Sequence, residues 1–216
     1  MTRSTEIRAS AVRSALATLL YGLVLFAFVL SSPAAGAEPT NLLAVLKQGG
    51  HVIVFRHGAT HPHQADTDPL NPDNVKEQRH LNDRGRAIAK STGARLAALR
   101  VPITEIYSSR FRRAVETAEL MGIGPVTPTL DLTEGGLVVS PIENARRAAA
   151  FRALCGKVLP AGGNRLIVSH KPNIVEAFGK DWFDVQEGEA SIFRIEAGQC
   201  TIIARIRADE WEKRLR

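Results

Sequence analysis

Three short stretches of this 216-residue chain place cations and imidazoles where an apolar run stops. VIVFRHGAT brings Arg56 and His57 out of a β-branched run, and LIVSHKPNI ends its own run in Ser169 and His170. Between them, YSSRFRRAVETAE carries Arg110, Arg112 and Arg113 just after Ser108 and Ser109. A guanidinium is a planar fork that matches two phosphate oxygens, and a neutral imidazole can act as nucleophile or donor. Singly, each of these residues reads as a solvated or core-satisfied side chain. Brought together, they would make a positive, donor-rich cup for a phosphoryl group.

Neighbouring residues extend the set. Thr60 and Asn173, just past the two histidines, are candidate phosphate ligands, with ordinary loop and cap roles as the alternative. His61 and His63, with Asp66, Asp68 and Asp73 nearby, raise the question of a divalent ion. The loop is proline-rich and its spacing is not compact, so neither a metal nor a cofactor is expected.

The elements that must position these groups alternate. A short helix over 41–48, capped by Thr40 or Asn41, precedes a strand over 51–56 and a long polar loop to Arg79. Asn82 caps a helix to about Leu99, Ile103 to Tyr107 form a second strand, and Ser108-Ser109 cap the next helix. A third strand is expected within 125–132, a helix over 143–159, a strand over 165–169, and a helix opened by Pro172. Segments 191–196 and 201–207 alternate around AGQC as a hairpin, and a short helix starts near Asp209. This order predicts an α/β three-layer sandwich. Its central sheet is mostly parallel, with helices on both faces and a C-terminal antiparallel hairpin. In such sheets ligands bind beyond the carboxyl ends of the strands, where all three stretches end.

The three stretches, in this order, resemble the signatures of the histidine phosphatase superfamily, the phosphoglycerate-mutase-like fold, over roughly residues 50–207. LNDRGRAIAK resembles the helix start that these proteins place after the first loop, and EGEASIFRI the closing hairpin of small exported members. The resemblance implies a metal-independent phosphomonoesterase in which His57 takes the phosphoryl group. Arg56, Arg113 and His170 would hold it, Arg113 being the arginine before Ala114-x-x-Thr117. Arg110 lies near the same helix face and is the rival for that role. Two flanking cations would also keep His57 unprotonated and nucleophilic. The family's proton donor is a Glu in a Leu-x-Glu pattern, matched by Leu132-Thr133-Glu134, although the continuation departs from the usual one. Glu143, Glu187 and Glu189 are rivals, and Glu176 is a weaker one.

The N-terminus reads as an address. Arg3, Arg8 and Arg13 precede an uncharged apolar run from Ala15 to Leu30, and Ala35-Gly36-Ala37 fits a cleavage site. Residues 1–37 are therefore expected to be a secretory signal or, if uncleaved, a membrane anchor, with 38–216 as a single exported, periplasmic or secreted domain. The formal charge of +6 includes three arginines and one glutamate of that segment, leaving +4. This suits a small anionic substrate, and no basic-aromatic block argues for nucleic acid. Exported relatives that dephosphorylate envelope lipopolysaccharide sugars make a phosphosugar one implied substrate. Alternatives are a mutase-type phosphotransferase, a protein phosphohistidine phosphatase, or a non-catalytic phosphate- or phosphosugar-binding module. Cys155 and Cys200 are either a disulfide, as export would allow, or two buried thiols.

Overall fold

The computed structural model describes residues 41–135 and 138–216; the expected export segment, residues 1–37, lies outside the described residues. Among the described residues no helix is long and apolar enough to cross a membrane. Helix α1 (Leu42–Gln48) is capped by Asn41, whose side chain accepts from the Ala44 N–H. After Gly49 and Gly50, both at positive φ, comes strand β1 (His51–Arg56). The remaining strands are β2 (Ile103–Ser109), β3 (Thr127–Thr129), β4 (Asn164–Ser169), β5 (Ala190–Glu196) and β6 (Gln199–Ile206). The remaining helices are α2 (Asp83–Ala98), α3 (Arg112–Met121), α4 (Pro141–Gly156), α5 (Lys171–Phe178) and α6 (Trp211–Arg214).

The sheet order is β3-β2-β4-β1-β5-β6. The first four of these are parallel neighbours, while β5 runs antiparallel to both β1 and β6. Alternation along β1 divides the core into two layers. Ile53 and Phe55 pack with Leu46, Leu96, Ala118 and Trp211, from α1, α2, α3 and α6. Val52 and Val54 pack on the other side with Phe151, Cys155, Ile174 and Ala177, from α4 and α5. The expected three-layer α/β architecture with its C-terminal hairpin is the one observed.

Three local expectations differ. Ser108 and Ser109 do not cap a helix; they finish β2, and α3 begins only at Arg112. Ser109 Oγ instead accepts from the Phe111 N–H and closes a tight corner that carries Arg113 back over the strand ends. The third strand shrinks to 127–129, followed by a 3₁₀ turn over Leu130–Leu132. Helix α4 starts at Pro141 under a Ser140 cap, two residues before the expected Glu143, because proline fits a helix's first turn. Cys155 and Cys200 form a disulfide that ties the end of α4 to β6.

Candidate active site

The parallel order makes β1, β4 and β2 neighbours, with Arg56 in register with Ser169 and Ser108 with Val168. The residues just past these strands therefore meet. His57 and His170 are both buried, and their rings lie 5.1 Å apart. Arg113, fully buried, reaches in from the first turn of α3. Its guanidinium lies over the Phe111 ring at 4.6 Å, and the same ring packs edge-on against His170, with centroids 5.6 Å apart.

His57 is held in one tautomer. Its Nδ1 lies 2.8 Å from the Gly58 carbonyl, which can only accept, so Nδ1 carries the proton and Nε2 holds the lone pair. The backbone around it is pinned too. The His57 N–H donates to the Ser169 carbonyl, and the Gly58 N–H donates to Thr117 Oγ1 at 3.0 Å. Thr117 in turn donates back to the Arg113 carbonyl at 2.6 Å. The Arg-Ala-x-x-Thr spacing thus places a cation and a clamp for the nucleophile's loop one helical turn apart. Gly58 is constrained by packing, since a Cβ there would lie 2.6 Å from the Gly85 carbonyl oxygen in the first turn of α2.

Burial pushes the His57 pKa well below its ordinary value, and the Arg113 charge pushes it further. The His170 pKa is pushed down by the same two causes in the same order. Both rings are therefore neutral near pH 7. His170 Nε2 lies 2.7 Å from Ser109 Oγ, and its Nδ1 is buried without a partner among the described residues. The Ser109 hydroxyl has two acceptors in reach, His170 Nε2 and Thr133 Oγ1 at 3.2 Å; when it donates to Nε2, Nδ1 carries the proton and can offer it to an oxyanion.

Carboxylates complete the cup. The Arg113 fork is shared by Asp66, at 2.9 Å, and Glu134, which pairs with its other terminal nitrogen. Glu134 also lies 3.9 Å from His170 Nδ1, so of the proposed acids it is the one between a histidine and the buried arginine. Glu143 lies on the surface, where Arg146 and Arg147 hydrogen-bond it and hold its carboxyl down at about 2. Glu189 is buried against Arg205 at 2.5 Å and accepts from the Gln186 N–H, a structural role. Glu176 belongs to α5, where its carbonyl accepts from Arg152. Glu187 stands beside Arg56 at 3.8 Å and accepts from the Thr60 hydroxyl at 2.7 Å, which turns Thr60 toward a carboxylate. Asn173 donates to the Thr133 carbonyl, and its own amide oxygen is buried without a partner. Arg110 lies farther out than Arg113 and pairs with Asp73 at 2.6 Å.

Arg56 is held from outside by the Val185 carbonyl at 2.6 Å. Its charge, with those of Arg113 and Arg79, bears on both histidines. Arg79 is the residue that sequence spacing did not find. It sits at the far end of the long loop, which folds back through a Thr60–Leu81 bridge and an Asp66 carboxylate accepting the Arg79 N–H. Its buried Nε has no partner among the described residues. No local pattern signals it, because only the loop's return brings it to the cup. Among the loop acids considered for a metal, Asp66, Asp68 and Asp73 are engaged by Arg113, Asn74 and Arg110.

Comparison with known proteins agrees with this geometry. A family model described as the histidine phosphatase superfamily (branch 1) matches residues 52–137, which hold the first two signatures and Glu134. The mitochondrial serine/threonine-protein phosphatase Pgam5 of Drosophila mojavensis is 38% identical over 77 residues, 36% of this chain and 24% of that protein. The Drosophila virilis counterpart is 35% identical over the same length. The chain thus matches about a quarter of the length of these relatives. Among solved structures, the protein histidine phosphatase SixA complexed with tungstate superposes with a TM-score of 0.51 at 21% identity. That match covers 74% of this chain and 98% of the other. A putative α-ribazole-5′-phosphate phosphatase of Escherichia coli gives a TM-score of 0.52 at 19% identity, covering 72% and 95%. The chain has the histidine phosphatase fold, and the family-model match supports that superfamily.

Proposed function

We propose that this chain is a phosphomonoesterase that works through a phosphorylated His57, without a metal. The observation that carries this reading is the fixed tautomer of His57. A buried, neutral imidazole presents an unshared Nε2 lone pair among guanidiniums. In the first step Nε2 attacks phosphorus, the ester P–O bond breaks, and Glu134 gives its proton to the leaving oxygen. Arg56, Arg113 and His170 spread the charge on the non-bridging oxygens, where phosphoryl transfer gains most of its catalysis. In the second step water attacks phosphorus, Glu134 takes its proton, and the P–N bond returns its electrons to Nε2.

The identity shared with serine/threonine-protein phosphatases covers 77 residues, 36% of this chain. It supports the phosphoryl chemistry without pointing to a protein substrate. An exported location is supported by the Cys155–Cys200 disulfide, since such bonds persist in oxidising compartments, and by the basic, apolar and Ala-x-Ala order of the N-terminus. A small phosphorylated compound of the cell envelope is the substrate class consistent with that location.

The test is turnover of an aryl phosphate by the purified chain in excess chelator, beside His57→Ala, with alkaline quenching to trap protein-bound phosphate. The expected result is turnover that survives chelation, an acid-labile adduct, and loss of both in the variant. Turnover retained by His57→Ala, or abolished by the chelator, would overturn the mechanism.

A further inference from the structure

A cavity of about 580 Å³ adjoins the cup at Arg56. Its walls include Ala59, Arg84, Glu187, Arg207 and Asp209, whereas His57, Arg113 and His170 do not line it. Arg56 is thus shared between the phosphoryl cup and a second space that the mechanism does not use.

Two of its guanidiniums are uncommitted. Arg84 and Arg207 have exposed side chains with no ion pair or hydrogen bond among the described residues; Arg207 bonds Glu210 through its backbone N–H and carbonyl, and its guanidinium acts on Asp184 only through its charge. Arg86, two positions from Arg84, pairs with Glu116 at 2.8 Å. Helix stability does not account for Arg84 either. It sits in the first turn of α2, where the helix dipole opposes a cation. Of the acids in the walls, Glu187 is engaged by Arg56 and Thr60, which leaves Asp209 against two free guanidiniums. The cavity is therefore net positive, with three guanidiniums against two carboxylates in its walls.

We propose that this cavity is a subsite for a second anionic group of the substrate, held by Arg84 and Arg207. The preferred substrates are then phosphomonoesters carrying a further acidic group at a fixed distance from the scissile phosphate. The proposal rests on the phosphatase reading above and deepens it. Arg84 and Arg207 act on substrate choice, with the reacting atoms left to the cup.

The experiment compares alkanediol bisphosphates of increasing chain length with alkyl monophosphates of the same lengths, using the full chain. One bisphosphate length is expected to exceed its monophosphate in kcat/KM by about 10-fold, through KM, with the preference shrinking as salt rises. Joint Arg84→Gln and Arg207→Gln substitution removes the preference. Arg100→Gln, past the opposite end of α2, keeps it. Equal turnover of the two series, or a preference that survives the double substitution, overturns the subsite. If neither series is turned over, the phosphatase reading fails separately. Calorimetric binding of the same bisphosphates to wild type and double variant then decides the subsite: weaker binding by the variant sustains it, and equal binding overturns it.

Discussion

Arg113 and Arg165 are both completely buried, at opposite ends of the sheet, and they are held in different ways. Arg165, at the start of β4, is saturated. Its Nε donates to Glu105 at 2.7 Å, and its terminal nitrogens donate to the carbonyls of Leu154, Lys157 and Val158 at the end of α4. Those acceptors are mostly backbone, fixed by the fold, and a cation is favoured at a helix C-terminus. Arg113 is held by two side-chain carboxylates, Asp66 and Glu134, its charge bears on two histidines, and its Nε has no partner among the described residues. An arginine whose donors end on fixed carbonyls serves the fold. One held by side-chain carboxylates at the strand ends is, in the proposed mechanism, the one that turns its donors to the incoming phosphate.

That contrast can be broken at either end. The largest expected effect is on Arg165→Met. It should cost about 3–5 kcal/mol of stability, the usual consequence of removing one partner of a buried pair, and leave the folded fraction active. Chemical denaturation read beside specific activity checks this, and a stable but inactive variant would abolish the distinction. Arg113→Met should instead show its main effect in the folded enzyme, lowering kcat/KM about 10²–10³-fold, as loss of one charge-stabilising donor does.

The Arg165 end has a second anchor, since Cys155 sits between the α4 carbonyls that Arg165 holds and is bonded to Cys200 across a separation of 45 residues. Reduction, or Cys155→Ala with Cys200→Ala, should cost about 2–4 kcal/mol with kcat unchanged. Combining it with Arg165→Met should give less than the sum, because both act on one helix end.

The smallest effect is a pH signature of the Arg113 end. His57 and His170 are held below their ordinary pKa by burial first and Arg113 second. Their unfolded counterparts bind protons near pH 6.5, so the unfolded state binds more protons as pH falls below that value. Stability contributed by the neutral rings is present above about pH 6.5 and is lost as pH drops toward the folded values. Arg113→Met removes one of the depressing charges. The loss of stability between about pH 7 and pH 5 should therefore be smaller in the variant than in wild type, measured by denaturant midpoints. An equal loss would mean that the Arg113 charge does not help to set the two rings.

What the sequence determined by itself is what local spacing encodes. Asn82 accepting from the Gly85 N–H, the apolar run of β1, the Pro172 helix start and the hairpin after residue 190 all arise from contacts a few residues apart. The three polar strand ends were legible for the same reason, since a parallel sheet must bring its carboxyl ends to one edge. Tertiary structure alone decided the rest. It buried Arg113 in the cup, left Arg110 paired with Asp73 outside it, and put Glu134, not Glu143 or Glu189, beside His170. It also returned Arg79 and Asp66 to the cup across a loop of some twenty residues and made Gly58 a contact of Gly85. These choices depend on how long segments close on one another. Closure is driven by burial summed over the whole core, so no short stretch of residues records it.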